Sequence, residues 1–129
     1  MRFHEVMTSI IKDDVQKENL GHIDIHKTRE LLMDVGAVLL DVRPPVKVDG
    51  ENAEEAGIAN AYYMPYTEFS DYLDVLPEAH ATPIVVACAK GWFANRVMGY
   101  LEFMGYNNVY VLDTDIKDLI EAHYAHSGK

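Results

Sequence analysis

Cysteine is almost absent from this sequence: the 129 residues contain one, Cys88. A lone cysteine excludes an internal disulfide and gives no start to a cysteine-rich zinc site. Positive charge is also scarce, with 11 Lys and Arg against 21 Asp and Glu and a net charge of −10. Such a field repels phosphate backbones and anionic lipid, so neither nucleic acid nor a membrane surface is an expected partner. No apolar run reaches membrane-spanning length. The start, Met1-Arg2-Phe3-His4-Glu5, lacks the apolar stretch and small-residue cleavage site of a secretory signal, and the expected location is a reducing cytoplasm. No nucleotide-binding loop and no cofactor signature is present, and neither a cofactor nor a metal is expected. His123 and His126 stand three apart on a helix without a third ligand.

What the chain does have is apolar residues, 49% of the total, in a length suited to one compact domain. Two divisions are expected: an amphipathic helical extension over 1–20 and the domain proper over 21–129. In the extension, Phe3, Val6, Met7, Ile10 and Ile11 recur at helical spacing. That stripe is expected to be covered, either by packing on its own domain or by pairing two chains as a homodimer. Ile23 and Ile25 alternate with polar residues like a short strand. Leu31, Leu32 and Val35 suit a helix closed by Gly36, and Ala37–Val42 has the unbroken apolar character of a strand covered on both faces.

The stretch 43–57, rich in Pro, Gly and carboxylates, reads as a surface loop. Tyr62–Met64 fits a strand ended by Pro65. Thr67 then caps an expected helix carrying Phe69, Tyr72, Leu73 and Leu76. Ile84–Ala87 and Val109–Leu112 are further strands. Between them Ala94, Val97, Met98, Leu101 and Met104 line a helix that Gly105 closes, and Ile116, Leu119, Ile120 and His123 face the core from a last one. Strands alternating with helices predict an α/β fold: a central, mostly parallel sheet with helices on both faces.

In such a sheet, ligands bind beyond the carboxyl ends of the strands. Cys88 stands at that end of a strong strand, and a helix begins a few residues later. The connection Ala89-Lys90-Gly91-Trp92-Phe93 brings backbone N–H groups and a helix N-terminus toward the sulfur, an arrangement that favours the nucleophilic thiolate. Gly91 gives the loop backbone freedom. Lys90 adds a cation, while Trp92 and Phe93 suit the rim of a pocket. Arg43, at another strand end, is either a pocket residue or half of a structural ion pair with a loop carboxylate.

Four segments, in order, resemble the rhodanese family and together span about Ile23 to Ala122. Leu39-Leu40-Asp41-Val42-Arg43 is similar to its Asp-Val-Arg strand end. Ala56–Ala61 followed by Pro65 resembles a worn Gly-His-Ile-Pro-Gly-Ala segment. Ile84–Gly91 resembles the active-site strand and Cys-x-x-Gly loop, and Phe103–Tyr110 resembles the closing Leu-Gly-Tyr-x-x-Val-Tyr segment. The resemblance implies a sulfurtransferase. Cys88 would take sulfane sulfur from a donor as a persulfide and pass it to a thiol acceptor, with Ala89 to Phe93 cradling it and Lys90 holding an anionic donor.

Phe93 and Ala89 stand where many single-domain members carry Arg, so the expected donor is thiosulfate, a polysulfide or a persulfide-bearing protein. A non-catalytic interaction module is the alternative. Phosphoryl transfer on a similar loop needs an Arg six residues after the cysteine, and Ala94 occupies that place.

Overall fold

The structure is a computed structural model and describes residues 2–126. Five strands form one all-parallel sheet: β1 (His22–Ile23), β2 (Val38–Asp41), β3 (Ala61–Tyr63), β4 (Ile84–Ala87) and β5 (Val109–Leu112), in the order β1-β5-β4-β2-β3. β4 lies between β5 and β2, with Val85 level with both Tyr110 and Leu39. A parallel sheet needs cover on both faces, which is why its strands lack polar alternation. Ile84, Val86 and Cys88 face one core layer with Leu40, Val97, Met98 and Leu101, while Val85 and Ala87 face the other with Leu39, Ile116 and Leu119.

Helix α3 (Trp92–Phe103) and a run of 3₁₀ turns over Tyr66–Val75 cover the first face. α2 (Ile25–Asp34) and α4 (Ile116–His126) cover the second. No helix among the described residues is long and apolar enough to cross a membrane.

Several sequence expectations need correction. Ile25 opens α2 instead of extending a strand, because the Asp24 side chain accepts the Lys27 N–H at 2.8 Å and caps the helix. The expected helix after Thr67 is instead the 3₁₀ run, with irregular backbone at Glu68 and Tyr72 and no side-chain cap. Thr67, Ser70, Asp71 and Asp74 are poor formers of a regular helix. The 43–57 stretch is more than a surface loop, since Ala53 and Ala56 are buried against the sheet. His123 is half-buried and borders a groove with Leu32, Ile58 and Leu119 in place of entering the core.

The N-terminal helix α1 (Phe3–Gln16) forms, but no residue in it is fully buried. Val6, Ile10 and Asp14 form its half-buried stripe toward α3, while Phe3, Met7, Ile11 and Val15 remain exposed. Lys17, just past its end, donates to the Val109 carbonyl at 2.8 Å and lies 3.6 Å from Glu102 of α3. Between α1 and β1, Asn19 and Leu20 both adopt left-handed backbone (φ 52° and 53°).

At the far end of α3, Gly105 (φ 104°) turns the chain toward β5. A Cβ there would sit 2.9 Å from His80 Nδ1, so this position requires glycine twice over.

Candidate functional site

Cys88 is the first residue past β4, at the carboxyl edge of the sheet. Its carbonyl accepts the Ile116 N–H at 3.0 Å, which ties the strand end to the start of α4. Its side chain is only 1% exposed and forms the floor of a cleft of about 140 Å³. Arg43, Pro44, Lys47, Ala89, Lys90, Trp92 and Phe93 make up the walls.

The loop from Ala89 to Gly91 turns back so that the Gly91 N–H donates to Cys88 Sγ at 3.0 Å. Gly91 has φ 85° and ψ −11°, a left-handed conformation that strains any side-chain-bearing residue. It is also the residue before α3 and offers no side-chain cap. The first N–H groups of α3 are therefore left for whatever occupies the cleft, with the positive end of the helix dipole behind them.

The second wall is built on a buried ion pair. Arg43 is 1% exposed and Asp41 fully buried; Arg43 Nε donates to Asp41 Oδ1 at 3.0 Å and Nη2 to Asp41 Oδ2 at 2.8 Å. Arg43 Nη2 also reaches the Glu51 carbonyl at 3.2 Å, and the Ala53 N–H donates to Asp41 Oδ2 at 3.0 Å. Burial opposes the guanidinium charge, but the hydrogen bonds and charge of Asp41 outweigh it and raise the Arg43 pKa. Arg43 Nη1 is buried without a partner. A fixed, permanently charged residue lining the cleft thus has two unused N–H donors, both on Nη1, as suits an anion site. Arg43 lines the cleft and also forms an ion pair, but with Asp41 at the end of β2 and not with a loop carboxylate.

Lys90 is exposed at the mouth, its Nζ 5.5 Å from the centre of the Trp92 ring. Trp92 is 71% exposed; Phe93 tilts against Tyr66, ring centres 4.9 Å apart. The structure therefore brings Cys88, Ala89, Lys90, Trp92, Phe93 and Arg43 to one cleft, with Gly91 bonded to the sulfur beneath it. It adds Lys47, which the sequence reading missed. Lys47 ends the 3₁₀ turn Pro45–Lys47 that follows β2, the strand next to β4. The available signal was a lone lysine, four residues past Arg43, in a loop otherwise crowded with carboxylates. Among the described residues no cluster of His, Cys, Asp or Glu has the makings of a metal site.

The rhodanese-like domain model matches residues 24–122, most of the chain and the four strands β2 to β5. The chain belongs to the rhodanese-like domain family. Among solved structures, a rhodanese-related protein from Thermoplasma volcanium is 23% identical, with a TM-score of 0.57 over 78% of this chain and 91% of that one. The human single-domain sulfurtransferase TSTD1 is 18% identical, with a TM-score of 0.58 over 78% and 96%. The Saccharomyces cerevisiae single-domain sulfurtransferase RDL2 is 19% identical, with a TM-score of 0.58 over 83% and 94%. At such identities these likenesses speak for the fold. No curated protein matches the chain. In this rhodanese-like domain the cleft occupies the place where parallel α/β sheets bind ligands, beyond the strand ends.

Proposed function

We propose that this protein is a sulfurtransferase that carries sulfane sulfur on Cys88. The observation that carries the reading is the Gly91 N–H held 3.0 Å from Cys88 Sγ on the floor of a cleft walled by Arg43, Lys47 and Lys90. In a protein of net charge −10, three cationic side chains around one sulfur mark a place for an anion.

The chemistry needs no outside oxidant. The Cys88 thiolate attacks the outer sulfur of a donor, a thiosulfate, polysulfide or persulfide. A bond forms to Cys88 Sγ as the donor's sulfur–sulfur bond breaks, and the leaving group departs with the electron pair as sulfite or a thiolate. An acceptor thiolate then attacks the terminal sulfur of the Cys88 persulfide and restores the thiolate. Backbone N–H groups and the α3 N-terminus stabilise negative charge on the sulfur in both states. Arg43 Nη1 supplies the buried donor for the anionic part of the donor molecule, and Lys47 and Lys90 draw it in from solvent.

Size limits the substrate. At about 140 Å³ the cleft is well below the size of pockets that enclose larger organic ligands. It takes a small anion or the end of a thiol chain, not a nucleotide.

Intact mass after incubation with thiosulfate, and separately with polysulfide, tests the proposal. The expected result is a gain of one sulfur atom that reductant removes and that Cys88→Ser abolishes while the variant stays folded. Sulfur uptake by Cys88→Ser, or none by the wild type, overturns it.

A further inference from the structure

The cleft holds only a small group, yet large apolar side chains stand outside it. Val46 is 90% exposed and lies between Pro45 and Lys47 in the turn beside the cleft. Trp92, 71% exposed, lines the same cleft. From Trp92 and Phe93 the apolar surface continues through Tyr66 to Tyr100, whose hydroxyls are 3.0 Å apart and whose rings stack at 6.3 Å. Beyond them Leu73 and Met104, both about two-fifths exposed, line a shallow groove with Tyr66, Phe69 and Tyr100. A donor that fits the cleft touches almost none of this surface. Single exposed apolar residues are ordinary on proteins, but a connected set starting at the mouth of a reactive cleft is not.

The charge at this mouth is equally specific. Neither Lys47 nor Lys90 forms an ion pair with a carboxylate among the described residues. Both flank the cleft within a molecule whose balance is strongly acidic. Since exposed charges are screened beyond about 8 Å at physiological salt, this local sign and not the net charge governs a contact made here.

We infer that the surface around Val46, Lys47, Lys90 and Trp92 docks an acidic polypeptide segment that brings its own cysteine to Cys88. The inference rests on the sulfur-carrier reading and narrows it: the physiological exchange is with a protein thiol or persulfide. Carboxylates flanking the partner's cysteine meet the two lysines, and an apolar neighbour of that cysteine packs between Val46 and Trp92. Aromatic and apolar anchors of this kind supply most of the contact energy in such interfaces, and complementary charge sets orientation and rate.

Two synthetic peptides test it, each with one cysteine: one flanked by Glu and Leu, the other by Lys and Leu. Cys88 is first loaded with polysulfide and the load read by intact mass; a peptide is then added and transfer followed. The acidic peptide should accept sulfur about tenfold faster than its basic twin at low ionic strength, and the gap should shrink as salt rises. Val46→Ser, which removes the apolar anchor without adding charge, should slow transfer to the acidic peptide by about tenfold, a binding difference typical of one interface anchor, while loading by polysulfide is unchanged.

Equal rates for the two peptides, or no effect of Val46→Ser, overturn the docking surface and leave the persulfide reading standing. A change in the hydrodynamic size of the protein alone on Val46→Ser shows that a second copy covers this face, which also overturns it. Absence of loading in the first step removes the persulfide reading itself, and the docking inference falls with it.

Discussion

The two ends of α3 surround buried ionisable groups in opposite ways. At its start, Cys88 Sγ sits where the helix dipole is positive, with a backbone N–H on the sulfur and the Arg43 guanidinium in the same cleft. At its other end, Glu102 is 8% exposed and faces Asp14 and Lys17 from α1. There burial, then the hydrogen bond and charge of Asp14, push the Glu102 carboxyl up to about 7, against a smaller opposing pull from Lys17. The dipole is also unfavourable at that end. One end surrounds its group with hydrogen-bond donors, the other keeps a proton on its carboxyl. A buried acid is thus not a sign of function by itself, and neither is a groove, since Glu102 lines one too; what distinguishes the sulfur site is the donor nitrogen left without a partner on Arg43.

Three changes probe this contrast. The largest effect is expected from Arg43→Ala, which leaves Asp41 buried and uncompensated. Loss of one partner of a buried pair costs about 3–5 kcal/mol, so urea denaturation should show a marginal fold. Arg43→Lys keeps the charge but loses the two-pronged bond to Asp41, and should recover only part of the stability and little of the sulfur uptake. Full stability in Arg43→Ala would mean that the cleft wall does not depend on this pair.

The second concerns pH. The folded protein holds a proton on Glu102 between the ordinary carboxyl range and about 7, whereas the unfolded chain has lost it. Proton binding is then greater in the folded state, so stability contributed by this group falls as pH rises through that window. At about 1.4 kcal/mol per pKa unit, the loss from pH 5 to pH 8 should be about 2 kcal/mol. Thermal midpoints measured across this range for wild type and Glu102→Gln give the test. Glu102→Gln should flatten the slope, since Gln donates to Asp14 without titrating. An unchanged slope would place the proton elsewhere.

The smallest effect is expected from Gly91→Ala. It costs about 1 kcal/mol for placing a side chain in left-handed backbone, and the denaturation midpoint should shift by that amount. Movement of the N–H away from Sγ should slow sulfur loading more than the stability change suggests. Loading at the wild-type rate would show that the N–H contact is incidental.

Much of this was legible in the sequence. Unbroken apolar runs marked β4, β5 and most of β2, because a strand covered on both faces cannot alternate. The position of Cys88 followed from the strand–loop–helix order around it. Lys47 was not legible, because nothing local tells a solvated lysine from one that the neighbouring strand carries to the cleft. Glu102 was equally hidden: on α3 it reads as a polar surface residue, and only the return of α1 buries it. α1 was half-legible. Its apolar arc is wider than one contact can cover, and periodicity does not say which edge turns inward; Val6 and Ile10 did, Phe3 and Met7 did not. The 3₁₀ run at Tyr66–Val75 escaped because apolar spacing there suits a helix while the intervening residues do not propagate one.

The left-handed pair Asn19 and Leu20 bears on how α1 comes off. Asparagine tolerates this backbone, but leucine rarely adopts it, and such residues store about 1–3 kcal/mol. That stored energy is retained only while the contacts of Lys17 and Asp14 with α3 hold the helix in place. The junction therefore works as a loaded spring: α1 should open as a unit before the sheet does, and its amides should exchange with solvent well ahead of those in β4. Leu20→Gly would relax the spring, slowing that early exchange without touching a single contact between α1 and α3.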